Sequence, residues 1–190
     1  MNCIKDSGER MEFETGAVRD IQKGKGRCDL MPLDVVGEIY LNKTDRLGAP
    51  DVLLNIHIFM DNGNPDRLEQ ALECFLLLDH PFGDANWSTV FLEVAKHFED
   101  GAAKYGENNW QKGLPVKCYI NSAVRHYLKW LRGDEDEPHD RAFVWNIMCA
   151  IWTCNHKPEL NDYGKKCIKC GNPIPAKWNY CDTCWENEHS

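Results

Sequence analysis

Two groups of side chains in this sequence have the types and spacing to do chemistry. Near the C-terminus, Cys167-Ile168-Lys169-Cys170 and Cys181-Asp182-Thr183-Cys184 are two CxxC knuckles ten residues apart. Each knuckle puts two thiolates on one tight turn, and two knuckles supply the four soft ligands of tetrahedral zinc. Gly171 supplies the positive φ that such turns often need. A segment of about 27 residues buries too little apolar surface to fold alone, so the metal would supply most of its stability. Four protein ligands leave no open position, which makes the expected zinc structural. Free or disulfide-linked cysteines are the plain alternative.

The second group lies around residue 137. Gly133-Asp134-Glu135-Asp136-Glu137 places four carboxylates just before a helix. Asp134, Asp136, Glu137 and Asp140 form a candidate oxygen-ligand set for Mg²⁺ or Mn²⁺, which would also grip phosphates. A solvated acidic turn facing the positive end of the helix dipole is the competing reading. Glu137 and Asp140 have ExxD spacing, which would put both on one helix face. His139 and Asn146 are seven apart and fall within about 20° on the same helix. Buried, they must be hydrogen-bonded to each other as a core pair or line a wet cavity. His126, beside Tyr119 and Trp130 in sequence pattern, could reach that cavity. Candidate phosphate contacts are Lys23, Lys25 and Arg27 between glycines, with Lys104 and Arg125. The GxxxxGK[ST] pattern of a P-loop is missing. Asn108, Asn109 and Trp110 could read and stack on a base, or Trp110 could simply anchor its loop.

The elements that must position these groups are mostly helical. Apolar spacing predicts helices over about 33–41, 65–78, 88–105, 116–131 and 138–154, joined by short connections as in an antiparallel bundle. The run Val52–Met60 is ambiguous between a strand and a buried helix turn. On the 88–105 helix, Phe91, Val94, Ala95, Phe98, Ala102 and Tyr105 form the expected stripe. Glu93, His97, Asp100 and Lys104 lie nearly opposite; Glu93 reads as solvated, while a second element could cover His97 and Asp100. The first 32 residues alternate glycine with charges and read as an arm without helix or strand. The expected organisation is a helical domain over 1–157, with the arm at 1–32 and an inserted stretch at 42–87, then a zinc ribbon over 158–190.

Composition narrows the function. Lys+Arg total 22 against 30 Asp+Glu, a net charge of -8. That disfavours a general nucleic-acid coat, which needs cations to displace counterions. No apolar run approaches the ~20 residues of a membrane span. The N-terminal MNCIKDSGERMEFETG is too polar for a secretory signal, and the cysteine usage suits a reducing compartment, so the cytoplasm is expected. Lys165, Lys166, Lys169, Lys177, Trp178 and Tyr180 of the ribbon suit contact with nucleic acid or a partner protein, or the tail docks on its own domain.

The blocks GAVRD, KGKGRCDLMP, HFEDGAAKYGENNWQKGLP and SAVRHYLKWLRGDEDEPHDRAFVWN resemble the phage-type dATP/dGTP diphosphohydrolase domain, grouped with the all-α, MazG-like nucleoside triphosphate pyrophosphohydrolases. The resemblance covers roughly residues 16–36 and 88–155. It implies metal-dependent hydrolysis of a purine deoxynucleoside triphosphate to monophosphate and pyrophosphate by a helical, commonly dimeric protein, host-cytoplasmic if phage-encoded. Motif matches carry over Arg19, Lys25, Arg27 and Asp29; Lys104, Tyr105, Asn109 and Trp110; and Arg125, His126, Asp134, Asp136, Glu137, His139 and Asn146. Glu137, His139 and His126 are the expected catalytic groups. MazG-like enzymes pair an ExxE helix with an ExxD helix, and no clear ExxE precedes Glu137 here. Two other readings fit: an HD-type metal phosphohydrolase built on His126 and His139-Asp140, and a non-catalytic nucleotide- or nucleic-acid-binding adaptor.

Overall fold

A computed structural model of the chain describes residues 8–20, 49–78, 87–171, 173–174 and 180–189. The protein is mainly helical. Its helices are α1 (Ala49–Asn62), α2 (Asp66–Leu76), α3 (Trp87–Tyr105), α4 (Val116–Arg132), α5 (His139–His156) and α6 (Asp182–His189), with 3₁₀ turns at Asn109–Lys112 and Pro158–Leu160. Strands β1 (Arg10–Glu12) and β2 (Val18–Asp20) pair antiparallel, as do β3 (Lys165–Lys166) and β4 (Pro173–Ile174). The expected helix over 33–41 lies outside the described residues, as do Lys23, Lys25, Arg27 and Asp29.

Helix α5 lies at the centre. Its buried residues include Ala142, Phe143, Val144, Asn146, Ile147, Cys149, Ala150 and Thr153, which go most of the way around the helix. Such a helix needs neighbours on several sides. They are α2, α3 and α4. Phe75 of α2 joins three of these elements, with its ring 4.4 Å from Phe143 and 5.1 Å from Trp130, centroid to centroid. Burying a side chain of this size contributes roughly 1.5–3 kcal/mol.

The ambiguous run at 52–60 is helical. Val52, Leu53, Ile56 and Phe59 recur every three or four residues and are buried, a spacing that a strand could not direct to one side. With α2 it forms a helical pair inside the common core. The turn after α1 also fixes the chain beyond α5. Gly63 has φ +70°, and a Cβ there would stand 2.6 Å from the Tyr163 carbonyl oxygen. Asn161 Nδ2 donates to the Gly63 carbonyl at 2.9 Å, and the Tyr163 ring meets Phe59 edge-on at 5.3 Å.

Two sequence expectations need correction. Residues 10–20 of the arm are a hairpin, turned by Gly16 at φ +75° and closed by Phe13 N–H to Ala17 C=O at 2.9 Å. The strands are three residues each, too short to leave an apolar alternation in the sequence. Helix α3 is rotated from its expected stripe: Val94 and His97 are buried, whereas Phe91 and Leu92 are 40% and 69% exposed. Helix α5 covers the His97 side, with the Trp145 ring 5.4 Å from the imidazole.

Candidate functional site

Helix α4 ends on Gly133, at φ +83°. Its N–H bonds the Trp130 carbonyl at 3.0 Å, while Asp134 N–H reaches back to Lys129 C=O at 3.0 Å. This is the glycine-terminated helix end that satisfies orphan carbonyls. It swings residues 134–138 across the end of α4 and starts α5 at His139, beside His126. Two histidines thirteen positions apart in sequence are thus brought into one contact. His126 Nδ1 and His139 Nδ1 are 3.0 Å apart, and Glu137 Oε1 stands 3.6 Å and 3.7 Å from them.

His139 is 2% exposed, and its Nε2 lies 2.8 Å from Asp136 Oδ1. A carboxylate there only accepts, so Nε2 carries the hydrogen, and Nδ1 is left to meet His126 Nδ1. Lys129 Nζ also donates to Asp136, at 3.0 Å. Its ammonium, then the His139 hydrogen bond, hold the Asp136 carboxyl at about 2. Burial, reinforced by Arg125, pushes His126 well below the ordinary histidine range. Both His126–Glu137–His139 and Asp134–Asp136–His139 bring their donor atoms within 4.8 Å of one another.

The four predicted carboxylates are not gathered together. Asp134 is gripped by the Arg132 fork, with Nε to Oδ1 at 2.6 Å. Asp140 Oδ1 accepts from Arg141 N–H at 2.7 Å and joins neither cluster. The ExxD helix face is also corrected: α5 begins at His139, so Glu137 lies in the preceding turn. Pro138 stands before the first helical residue with ψ +85°, outside the helical region.

A cavity of about 760 Å³ opens in front of these groups. Its lining includes Arg19, His97, Arg125, His126, Lys129, Asp136, Glu137 and Asn146. Arg19 Nη2 donates to Ser122 Oγ and, at 2.9 Å, to Asn146 Oδ1; its Nη1 is buried without a hydrogen-bond partner. Arg125 Nη2 reaches the same Ser122 oxygen at 2.9 Å. Asn146 is therefore bonded to Arg19 and, through Nδ2, to the Ala142 carbonyl at 2.7 Å. Of the two readings of His139 and Asn146, a core pair and a wet cavity, the direct pair is not formed: each has separate partners, and Asn146 lines the cavity.

The hairpin supplies three of the wall residues, Val18, Arg19 and Asp20, and is tied down by predicted site residues. Asn109 Nδ2 donates to Val18 C=O at 3.0 Å and its Oδ1 accepts from Val18 N–H at 3.1 Å. The amide thus extends the β2 ladder while Asn109 also lines the cavity. Lys104 and Tyr105 both donate to the Asp20 carboxylate, at 2.8 Å each. Burial would lower the Lys104 ammonium, but the Asp20 carboxylate outweighs it and raises it. Lys104 is an anchor for β2 in this state. Trp110 packs edge-on against Phe98 and Trp152, at 5.4 Å and 5.1 Å.

Sequence reasoning missed Asp20, Ser122 and Lys129 altogether. Asp20 follows Arg19 in the GAVRD block, and Ser122 is a small polar residue amid the buried α4 face; both signals were present. It also left His97 open. His97 is 7% exposed, its Nδ1 has no protein partner, and burial, then Arg141 and Arg19, bring it down to about 4. Between the ordinary value of 6.5 and about 4, the unfolded chain takes a proton that the folded chain refuses. Stability contributed by His97 is thus complete above that window and is lost as pH falls through it, by roughly 3 kcal/mol at the lower end. Urea melts between pH 7 and 4.5 should show wild type losing more stability than His97→Gln. Parallel losses would sink the assignment.

At the other end of the chain, Cys167, Cys170, Cys181 and Cys184 bring their sulfurs within 4.8 Å of one another. Gly171 at φ +75° turns the first knuckle, its N–H on the Cys167 carbonyl at 2.9 Å. The cluster could hold a metal such as zinc and is compatible with a small zinc ribbon. Among the described residues, no helix is long and apolar enough to cross a membrane.

No curated protein and no solved structure matches this chain. A family described as dATP/dGTP diphosphohydrolase, N-terminal, matches residues 77–163. That span takes in α3, α4 and α5 whole, with His97, Arg125, His126, Asp136, Glu137, His139 and Asn146, while Arg19, Asp20 and the four clustered cysteines fall outside it. Residues 77–163, which carry most of the cavity wall, accordingly match a domain of the dATP/dGTP diphosphohydrolase N-terminal type.

Proposed function

We propose that the chain is a metal-dependent nucleoside triphosphate pyrophosphohydrolase that converts dATP or dGTP to the monophosphate and pyrophosphate. The observation that carries this reading is the meeting of two walls at one cavity: Arg19 and Arg125 on Ser122, and His126, Asp136 and Glu137 with the buried His139 behind them. About 760 Å³ is the size of a small-ligand pocket. The guanidiniums suit phosphate oxygens, which they bind in planar, two-pronged fashion.

The donor set fits a divalent cation, with His126, His139 and Glu137 as the residues that would hold it. Such an ion, when bound, draws charge off the phosphate oxygens as it accumulates on the leaving pyrophosphate. The chain's own groups do the rest. Arg19 and Arg125 hold the triphosphate so that its α-phosphorus faces Glu137. Water adds to that phosphorus, the bond to the pyrophosphate oxygen breaks, and the water proton passes to the second carboxylate oxygen of Glu137, Oε2. Asp136 keeps His139 in one tautomer throughout. Phe98 and Trp110 add an apolar lining to the same cavity.

Incubation with dATP or dGTP and Mn²⁺ or Mg²⁺, with both products identified by chromatography, tests this. Monophosphate plus pyrophosphate is expected. Inorganic triphosphate would favour HD-type chemistry, although Asp140 stands apart from both histidine clusters. Tight binding without turnover would make the protein an adaptor.

We further read the four clustered cysteines as a structural zinc site. Chelation is expected to release one zinc per chain and to make Cys167, Cys170, Cys181 and Cys184 alkylatable, with helical circular dichroism largely kept. Loss of the helical signal in step with zinc would show that the ribbon holds up the whole fold.

A further inference from the structure

We infer that His126 Nδ1, His139 Nδ1 and Glu137 Oε1 are the seat of one divalent transition-metal ion, with Asp136 outside that seat as the group that orients His139. This deepens the hydrolase reading and rests on it only for the identity of the substrate.

The spacing of the three atoms carries the inference. Donors that share one ion at about 2.1 Å each stand no more than about 4.2 Å apart. The imidazole nitrogens are separated by 3.0 Å, a distance that a hydrogen bond between them also takes. Glu137 Oε1 is 3.6 Å and 3.7 Å from the two nitrogens, beyond hydrogen-bond length. Three donors from α4, the turn and the α5 start thus stand within reach of one ion.

The acidic turn offers a rival seat, and its chemistry is weaker. Asp134 has both oxygens on Arg132, and Asp136 has both within reach of Lys129. A cation entering there would have to displace those positive groups. Asp136 also accepts from His139 Nε2. A carboxylate on the far nitrogen of a metal-binding histidine fixes its tautomer and orientation, and losing it typically weakens metal binding 10–100-fold.

Two imidazole nitrogens and one carboxylate oxygen suit first-row ions that accept nitrogen, iron and zinc foremost, with manganese the weakest binder of that series. Magnesium prefers oxygen throughout. The seat therefore predicts a preference for manganese over magnesium, which a ring of four carboxylates would not show.

The test uses the full chain holding no more than one zinc, which the four thiolates take first, with Mn²⁺ as the added ion, because manganese competes poorly for thiolates. Free Mn²⁺ is counted by electron paramagnetic resonance, and the bound ion is examined for magnetic coupling to nitrogen. Wild type should bind a single Mn²⁺ per chain with nitrogen coupling. Binding should weaken about 10–100-fold in Asp136→Asn and at least as much in His126→Gln, and change less than about twofold in Asp134→Asn, whose partner is Arg132. Mn²⁺ bound without nitrogen coupling would overturn the seat, as would loss of binding in Asp134→Asn alone. The wild-type coupling needs no variant, so a misfolded mutant leaves the test intact. Nitrogen-coupled Mn²⁺ in a protein that splits no nucleotide would keep the seat and overturn the proposed function. Pyrophosphate release without such coupling would do the reverse.

Discussion

Glu137→Gln is expected to slow pyrophosphate release from dATP or dGTP by about 10³-fold, in the middle of the range for losing a positioned proton acceptor. The amide keeps the shape of the side chain but removes its charge and basicity. Glu137 is half-buried in the turn between Gly133 and Pro138, and its Oε1 faces the imidazoles of His126 and His139 rather than a packed apolar wall. The melting temperature should therefore change little. The loss should fall on kcat, because the carboxylate acts on the water and the cation more than on the bound triphosphate. A rise in KM with kcat intact would move Glu137 to substrate binding. Full activity would remove it from the reaction and, with it, the reading of the cavity as a hydrolase site.

How much of this was legible in the sequence depends on the range of the interaction. Helices α4 and α5 were readable because Ile120, Ala123, Val124 and Tyr127, then Ala142, Phe143, Ile147 and Ala150, repeat at helical spacing within one element. The closeness of their ends was readable too, since Gly133 and Pro138 punctuate a short connection. Which face of α3 goes inward was not, because Trp145 and the rest of α5 decide it from outside the helix. Phe91 and Ala95 fit the apolar period as well as Val94 does, and local pattern alone cannot reject them. The hairpin was hidden for a similar reason. Three-residue strands hold little local signal, and β2 is completed by the amide of Asn109, some ninety residues away. The carboxylates were readable as a cluster but not as partners. Arg132, Lys129 and the backbone of Arg141 take Asp134, Asp136 and Asp140 out of the expected ring, and only geometry separates them from Glu137.

Arg19→Ala should lower kcat/KM for dATP or dGTP by about 10²–10³-fold, the effect of removing one preorganised donor from a developing anion. The size follows from how the side chain is held. Its Nη2 is fixed by Ser122 and Asn146, its guanidinium lies over the Tyr119 ring at 5.6 Å, and Nη1 is left buried and unsatisfied. A buried donor without a partner costs roughly 1–3 kcal/mol, and phosphate oxygen entering the cavity would relieve that cost. The variant has a structural consequence as well, because Ser122 and Asn146 lose a partner, so melting must be measured alongside kinetics. Arg19→Lys separates the two effects. Lysine restores the charge but not the two-pronged fork, in which Nη2 alone holds Ser122 and Asn146 and Nη1 is left for phosphate. If the fork matters, Arg19→Lys stays close to Arg19→Ala in kcat/KM. Recovery of full activity would mean that a point charge suffices, and the hydrogen bonds to α4 and α5 would then be a means of docking the hairpin and nothing more.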